Sequence, residues 1–138
     1  MTVPSPHHSP KGDPDLPWSW SAQDSNALLD HGGWRAMALA HAWYDGSEQD
    51  PPRRKSDYKL PHHKRIDGRV RVSLSGVRSA MNILAATRFQ PEDYLVKLPA
   101  EEVRAVYEHL AVHLVQFDQD PPDILKGWSP SDGWPPPG

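Results

Sequence analysis

Proline crowds both ends of this chain: five of the first 17 residues and six of the last 18 are proline. Neither "TVPSPHHSPKGDPDLP" nor "PPDILKGWSPSDGWPPPG" has apolar periodicity. A segment with no apolar face cannot offset the entropy of ordering itself. Residues 1–17 and 121–138 are therefore expected to be extended arms of polyproline character. That leaves residues 18–120 as the folded domain, patterned from Trp18 to Phe117. At about 100 residues such a domain buries a real core with little surplus stability.

The chain has no cysteine, which excludes disulfides, thiolate zinc sites and cysteine nucleophiles. The N-terminus lacks the charged start and apolar core of an export signal. No apolar run approaches the roughly 20 residues of a spanning helix. A soluble, non-exported protein with no membrane partner is expected.

The net charge of −3 hides a pattern. Residues 1–52 carry a net of −5, 53–71 a net of +6, 72–90 a net of +2 and 91–138 a net of −6. A basic central band between acidic ends can dock head-to-tail on a second copy or span surfaces of both signs. A general nucleic-acid binder is basic throughout, and this chain is not.

Four helices and one β element are expected, a mainly α domain. Asp24 is a candidate cap for a short helix over Ser25–Asp30, which Gly32-Gly33 ends. Trp34, Met37, Ala38 and His41 then fall on one face of a second helix, closed by Trp43 and Tyr44 before Asp45-Gly46. Leu60 precedes a proline, which biases it toward extended geometry. Asp67-Gly68 reads as a tight turn into "RVRVSL", where Val70, Val72 and Leu74 alternate with Arg69, Arg71 and Ser73: a small hairpin or strand. Ser75 is a candidate cap for a third helix with Val77, Ala80, Met81 and Leu84 on one face. In the last helix Val103, Val106, Tyr107, Leu110, Leu114 and Phe117 form one stripe, with Pro99, Glu101 and Glu102 suited to its start.

His109 and His113 stand four apart on that helix, a spacing that can present two imidazoles to one metal. With His62 and His63 a four-histidine site can be drawn. Against it, the stripe centres near Leu110 and Leu114, which puts His113 at its border and His109 further toward solvent. Nothing in the sequence requires the His62–His63 loop to approach. Leu110, Ala111 and Val112 fill the space where H-E-x-x-H has its glutamate. Flanking histidines at an interface are expected, with no metal and no cofactor, and His41 is expected to be a satisfied core residue. The band from Arg53 to Arg71, with Tyr58 able to stack, suggests nucleic acid. Its acidic flanks repel phosphate, and no helix presents several arginines to a groove. "SLSGV" lacks the first glycine of a nucleophile elbow. With no converging nucleophile, base or ligand set, no catalytic residue is assigned.

Six tryptophans are present. Trp18, Trp20, Trp34 and Trp43 frame the first helices and are expected in the core. Trp128 and Trp134 lie in the proline-rich tail and are expected to anchor in a partner's pocket.

The order "WSWSAQDSNALL", "AHAWYD", "DYKLPHH…DGRV", "SGVRSAMNILAATR", "LPAEEVRAVYEHLAVHLVQFDQDPP" resembles a module of tailed-phage head-morphogenesis proteins, often appended to or encoded near prohead proteases. The resemblance spans Trp18 to Pro122 and is most specific at "YKLPHH" and in the last helix running into "DPP". The family's Gly-rich segment between the last two helices is replaced here by "TRFQPEDYLVK". No protease domain is present, so the resemblance supplies no catalytic residue. It implies a capsid setting.

The function expected is non-enzymatic: a virion protein, made in the host cytoplasm, that binds the major capsid protein lattice as a decoration, cement or minor capsid component. Many weak sites on two arms would add by avidity. The face expected to be presented comprises Arg53, Arg54, Tyr58, His62, His63, Lys64 and Arg65, with Trp128 and Trp134 on the arm. Leu60-Pro61 is expected to pack that loop on the helices. Self-association fits the same charge pattern. The alternatives are a transient assembly or protease-associated adaptor and, less favoured, a nucleic-acid-binding module.

Overall fold

The computed structural model describes residues 11–12, 17–66, 69–90 and 96–136. Most of the expected N-terminal arm, the Asp67-Gly68 turn and residues 91–95 lie outside the described residues. The described elements are α1 (Ala22–Ala40), β1 (His41–Tyr44), β2 (Tyr58–Pro61), β3 (His63–Ile66), β4 (Arg69–Val72), α2 (Leu74–Phe89) and α3 (Val103–Gln116), with short 3₁₀ turns between. β1 pairs antiparallel with β2, and β3 pairs antiparallel with β4. The fold is mixed helix and sheet, and the expected four-helix, mainly α architecture is corrected to this.

α1 starts one turn before the expected cap. Ser21 is the N-cap, and the Asp24 carboxylate accepts the Ser21 backbone N–H at 2.8 Å and its hydroxyl at 3.1 Å. Asp24 thus closes the cap from inside the first turn, where its charge also favours the helix dipole. The expected break falls at Gly33, whose backbone (φ 68, ψ −157) interrupts the helix in a conformation that side-chain-bearing residues avoid.

The second half of α1 stops at Ala40, and "HAWY" continues as a strand. All four of its residues are buried, and it pairs His41 with Pro61, Trp43 with Lys59 and Tyr44 with Tyr58. Helical spacing predicted otherwise. Aromatic side chains buried on both faces of a strand overrule it here. Leu60 departs from expectation too. It takes φ 62, a left-handed conformation uncommon for leucine, while its side chain is buried.

β3 and β4 form the expected hairpin, with His63 opposite Val72 and Ile66 opposite Arg69. Lys11 adds a parallel bridge beside Val72. Ser73, rather than Ser75, caps α2, its hydroxyl accepting the Gly76 N–H at 3.1 Å. One apolar cluster joins α2, α3, β1, β2 and β4, and a second joins α1 to Tyr44 and Tyr58.

The C-terminal tail is not a free arm. Ile124, Leu125, Trp128 and Trp134 are buried in the larger cluster. The Tyr107 hydroxyl donates to Pro122 O at 2.7 Å, and Trp128 Nε1 donates to Gly133 O at 3.0 Å. The boundary expected at residue 120 therefore cuts through packed structure. The segment lacks periodicity because it fills a surface made by other elements and has no core of its own.

Candidate metal centre

His62 sits between β2 and β3, where both of its backbone groups are used. Its N–H donates to Ala40 O and its carbonyl accepts the Ser73 N–H, each at 2.9 Å. The residue thereby joins the end of α1 to the start of α2. His63, the first residue of β3, is fixed by its pairing with Val72. His109 and His113 lie one turn apart on α3. His62, His109 and His113 are fully buried and His63 is 1 % exposed.

The four rings meet. His62 lies 4.5 Å from His63, 5.1 Å from His109 and 5.0 Å from His113, centroid to centroid. His113 lies 5.0 Å from His63 and 5.2 Å from His109. The Nε2 atoms of His62 and His109 are 3.1 Å apart. One nitrogen from each of His62, His109 and His113 falls in a set whose members all lie within 4.8 Å of one another.

Two rings have their outer nitrogens committed. His62 Nδ1 lies 3.0 Å from Leu60 O, and His113 Nδ1 lies 3.1 Å from the Gln116 side-chain oxygen. Both partners are acceptors, so each Nδ1 carries the proton and each Nε2 keeps a lone pair. A carbonyl or amide oxygen behind the ring is how proteins fix the tautomer of a ligating histidine. Leu60's left-handed backbone gains a role here, because its carbonyl is the one that orients His62.

Burial pushes the His62 imidazole well below its ordinary pKa, and the other three histidines add to this by repulsion. The His62 ring is therefore neutral near pH 7, the form a metal requires. For zinc–nitrogen bonds of 2.0–2.1 Å, a tetrahedral edge is about 3.3 Å. The 3.1 Å separation of the two Nε2 atoms is close to that edge. Imidazole donors without thiolate suit zinc, copper, nickel or iron.

The residues expected on a presented face divide. Arg53, Arg54 and Arg65 are exposed. Arg53 and Arg54 border a surface hollow with Asp45, Glu48 and Asp57, and Arg54 pairs with Asp57 at 3.1 Å. Acidic neighbours thus answer part of the basic band locally. Lys64 is half-buried, donating to Ser19 O at 3.0 Å and lying 5.3 Å above the Trp18 ring. Tyr58 is buried and donates to Pro52 O at 2.8 Å.

His62, His63, Tyr58, Trp128 and Trp134 are core residues, so their assignment to a docking surface is corrected. Leu60 packs in the core as expected. His41 does too, with Nδ1 2.7 Å from Met37 O. The sequence carried the signals for the cluster, the His62–His63 pair and the i,i+4 pair on α3. What it lacked was the pairing that brings them together. The reading of His109 as solvent-facing fails because the His62 turn covers that side of α3.

No family model, curated protein or solved structure matches the chain. Among the described residues, no helix is long and apolar enough to cross a membrane.

Proposed function

We propose that this chain is a small, non-catalytic module held together by one transition-metal ion, zinc by its ligand chemistry, bound to His62, His109 and His113. The observation that carries the reading is the convergence of three buried imidazole nitrogens within 4.8 Å, two of them 3.1 Å apart. Packing four imidazoles together, tilted or edge-on to one another, leaves a polar centre inside an apolar core. A cation shared among the lone pairs is the arrangement that repays that burial. The ion would clip the His62 turn to α3, elements 47 residues apart in sequence. Elemental analysis of the tag-free protein after zinc loading and dialysis tests it. About one ion per chain is expected, lost in the double variant His109→Leu, His113→Leu. Retention of the same amount by that variant, or no uptake by the parent, overturns the reading.

The setting we propose is the head of a tailed phage, with the module bound to the major capsid lattice as a decoration, cement or minor capsid component. Its support is the resemblance, whose most specific stretches, "YKLPHH" and the last helix running into "DPP", also carry the four histidines. The exposed Arg53, Arg54 and Arg65 between acidic ends support docking on a surface of mixed sign. Purified virions should contain the chain in fixed ratio to the capsid protein. Presence in proheads alone would make it an assembly adaptor, and absence from both would remove the capsid reading.

A further inference from the structure

We infer that His63 supplies the fourth ligand, so that the ion sits in a closed shell of four histidines with no position left for water or substrate. This rests on the three-histidine metal reading above and specifies what kind of site it is. Zinc is nearly always four-coordinate in proteins, and a three-ligand site completes its shell with water at an open position. An open position needs a mouth. Here the three ligands are fully buried, and so is Val72, which faces His63 across the hairpin.

Outside the three-nitrogen set, the fourth imidazole of the cluster is that of His63. Its ring is in contact with two of the ligands, 4.5 Å from His62 and 5.0 Å from His113. Its place at the start of β3, opposite the fully buried Val72, holds it inside, and burial falls along the strand from His63 through Lys64 to the exposed Arg65. Rotation about its last side-chain bond exchanges which edge of the imidazole faces the cluster without moving the backbone. With His63 engaged, the ion ties three elements, the β3–β4 hairpin, the His62 turn and α3. It then acts as a structural staple and has no free face for Lewis-acid chemistry.

Cobalt(II) in place of zinc reads the shell directly. The parent should bind about one cobalt per chain, with the intense visible bands of a tetrahedral site, and those bands should not change on adding azide. His63→Ala should still bind cobalt through the remaining three histidines. Its affinity should be weaker by on the order of 100-fold, since even residues behind the ligands are worth 10- to 100-fold. Its bands should shift, and azide should now change them. Parent bands that respond to azide, or a His63→Ala spectrum identical to the parent's, overturn the fourth-ligand assignment while leaving the three-histidine site standing. A parent that binds no cobalt overturns both. The azide response of the parent needs no variant, so the inference stays testable even if His63→Ala does not fold.

Discussion

The Trp18 ring occupies the space that a side chain on Gly76 would need: a Cβ at Gly76 would fall 2.7 Å from Trp18 Cε3. Trp18 also stacks on Trp20 at 5.8 Å and lies beneath the Lys64 ammonium at 5.3 Å. The start of the folded segment is thus pinned to the first turn of α2 by an indole seated on a glycine.

At a helical site with open space, Gly→Ala stabilises by up to about 1 kcal/mol. At Gly76 the methyl meets a ring that is itself held on two sides, so Gly76→Ala should instead cost about 1–2 kcal/mol. In a Trp18→Ala background the same change should turn neutral or stabilising. Urea unfolding of the four proteins in the cycle measures this coupling. Equal effects of Gly76→Ala in both backgrounds would contradict the packing described.

Metal loading should stabilise the fold by mass action. At a free zinc concentration 100 times Kd the gain is about 2.7 kcal/mol, which for a chain of this length raises Tm by about 10 °C. His109→Leu keeps the helix and removes a ligand, so at the same free zinc its Tm should rise by much less than the parent's. Thermal melts with added zinc and with chelator check this. A zinc response of the same size in the variant would place the ion elsewhere.

Periodic and turn-forming features were legible in the sequence. Gly33 breaks α1, "RVRV" pairs in a hairpin, and Val103, Val106, Leu110 and Leu114 bury along one face of α3. Features decided by distant partners were not. By angle His109 lies beyond the border of the stripe, toward solvent, yet it is fully buried because the His62 turn packs there. That turn depends on the left-handed Leu60, a conformation the following proline argues against. "HAWY" carries helical spacing and becomes a strand because "YKLP" is there to pair with it. Trp128 and Trp134 lack periodic neighbours because they bury against a core made by other elements.

The tail supplies a test of that last point. Trp128 is 5 % exposed and meets Trp134 edge-on at 5.6 Å between centroids. Trp128→Ala should cost the isolated protein about 3–5 kcal/mol, as truncating a buried aromatic does. An anchor waiting for a partner's pocket would cost it almost nothing. Denaturant melts of the purified variant separate the two, and a ΔΔG below about 0.5 kcal/mol, the usual surface value, would return Trp128 to the role of an exposed anchor.

His41 should make stability fall in mild acid. Its ring is buried, edge-on to Trp20 at 5.3 Å, and burial lowers its pKa from 6.5 to about 4, although the Met37 carbonyl partly opposes this. Above about pH 6.5 folded and unfolded chains both hold it neutral, and its contribution is fully present. As pH falls from about 6.5 to about 4 the unfolded chain takes up a proton that the folded chain refuses, so stability drops through that window and levels off below it. Between about pH 7.5 and about pH 5 the loss from this one group is about 2 kcal/mol. His41→Phe cannot titrate, so its stability relative to the parent should rise by that amount over the same interval. The histidine cluster is common to both proteins and cancels in the comparison. Urea melts of both proteins at the two pH values measure the difference, and parallel pH profiles would show that His41 is protonated as readily in the folded chain as in the unfolded one.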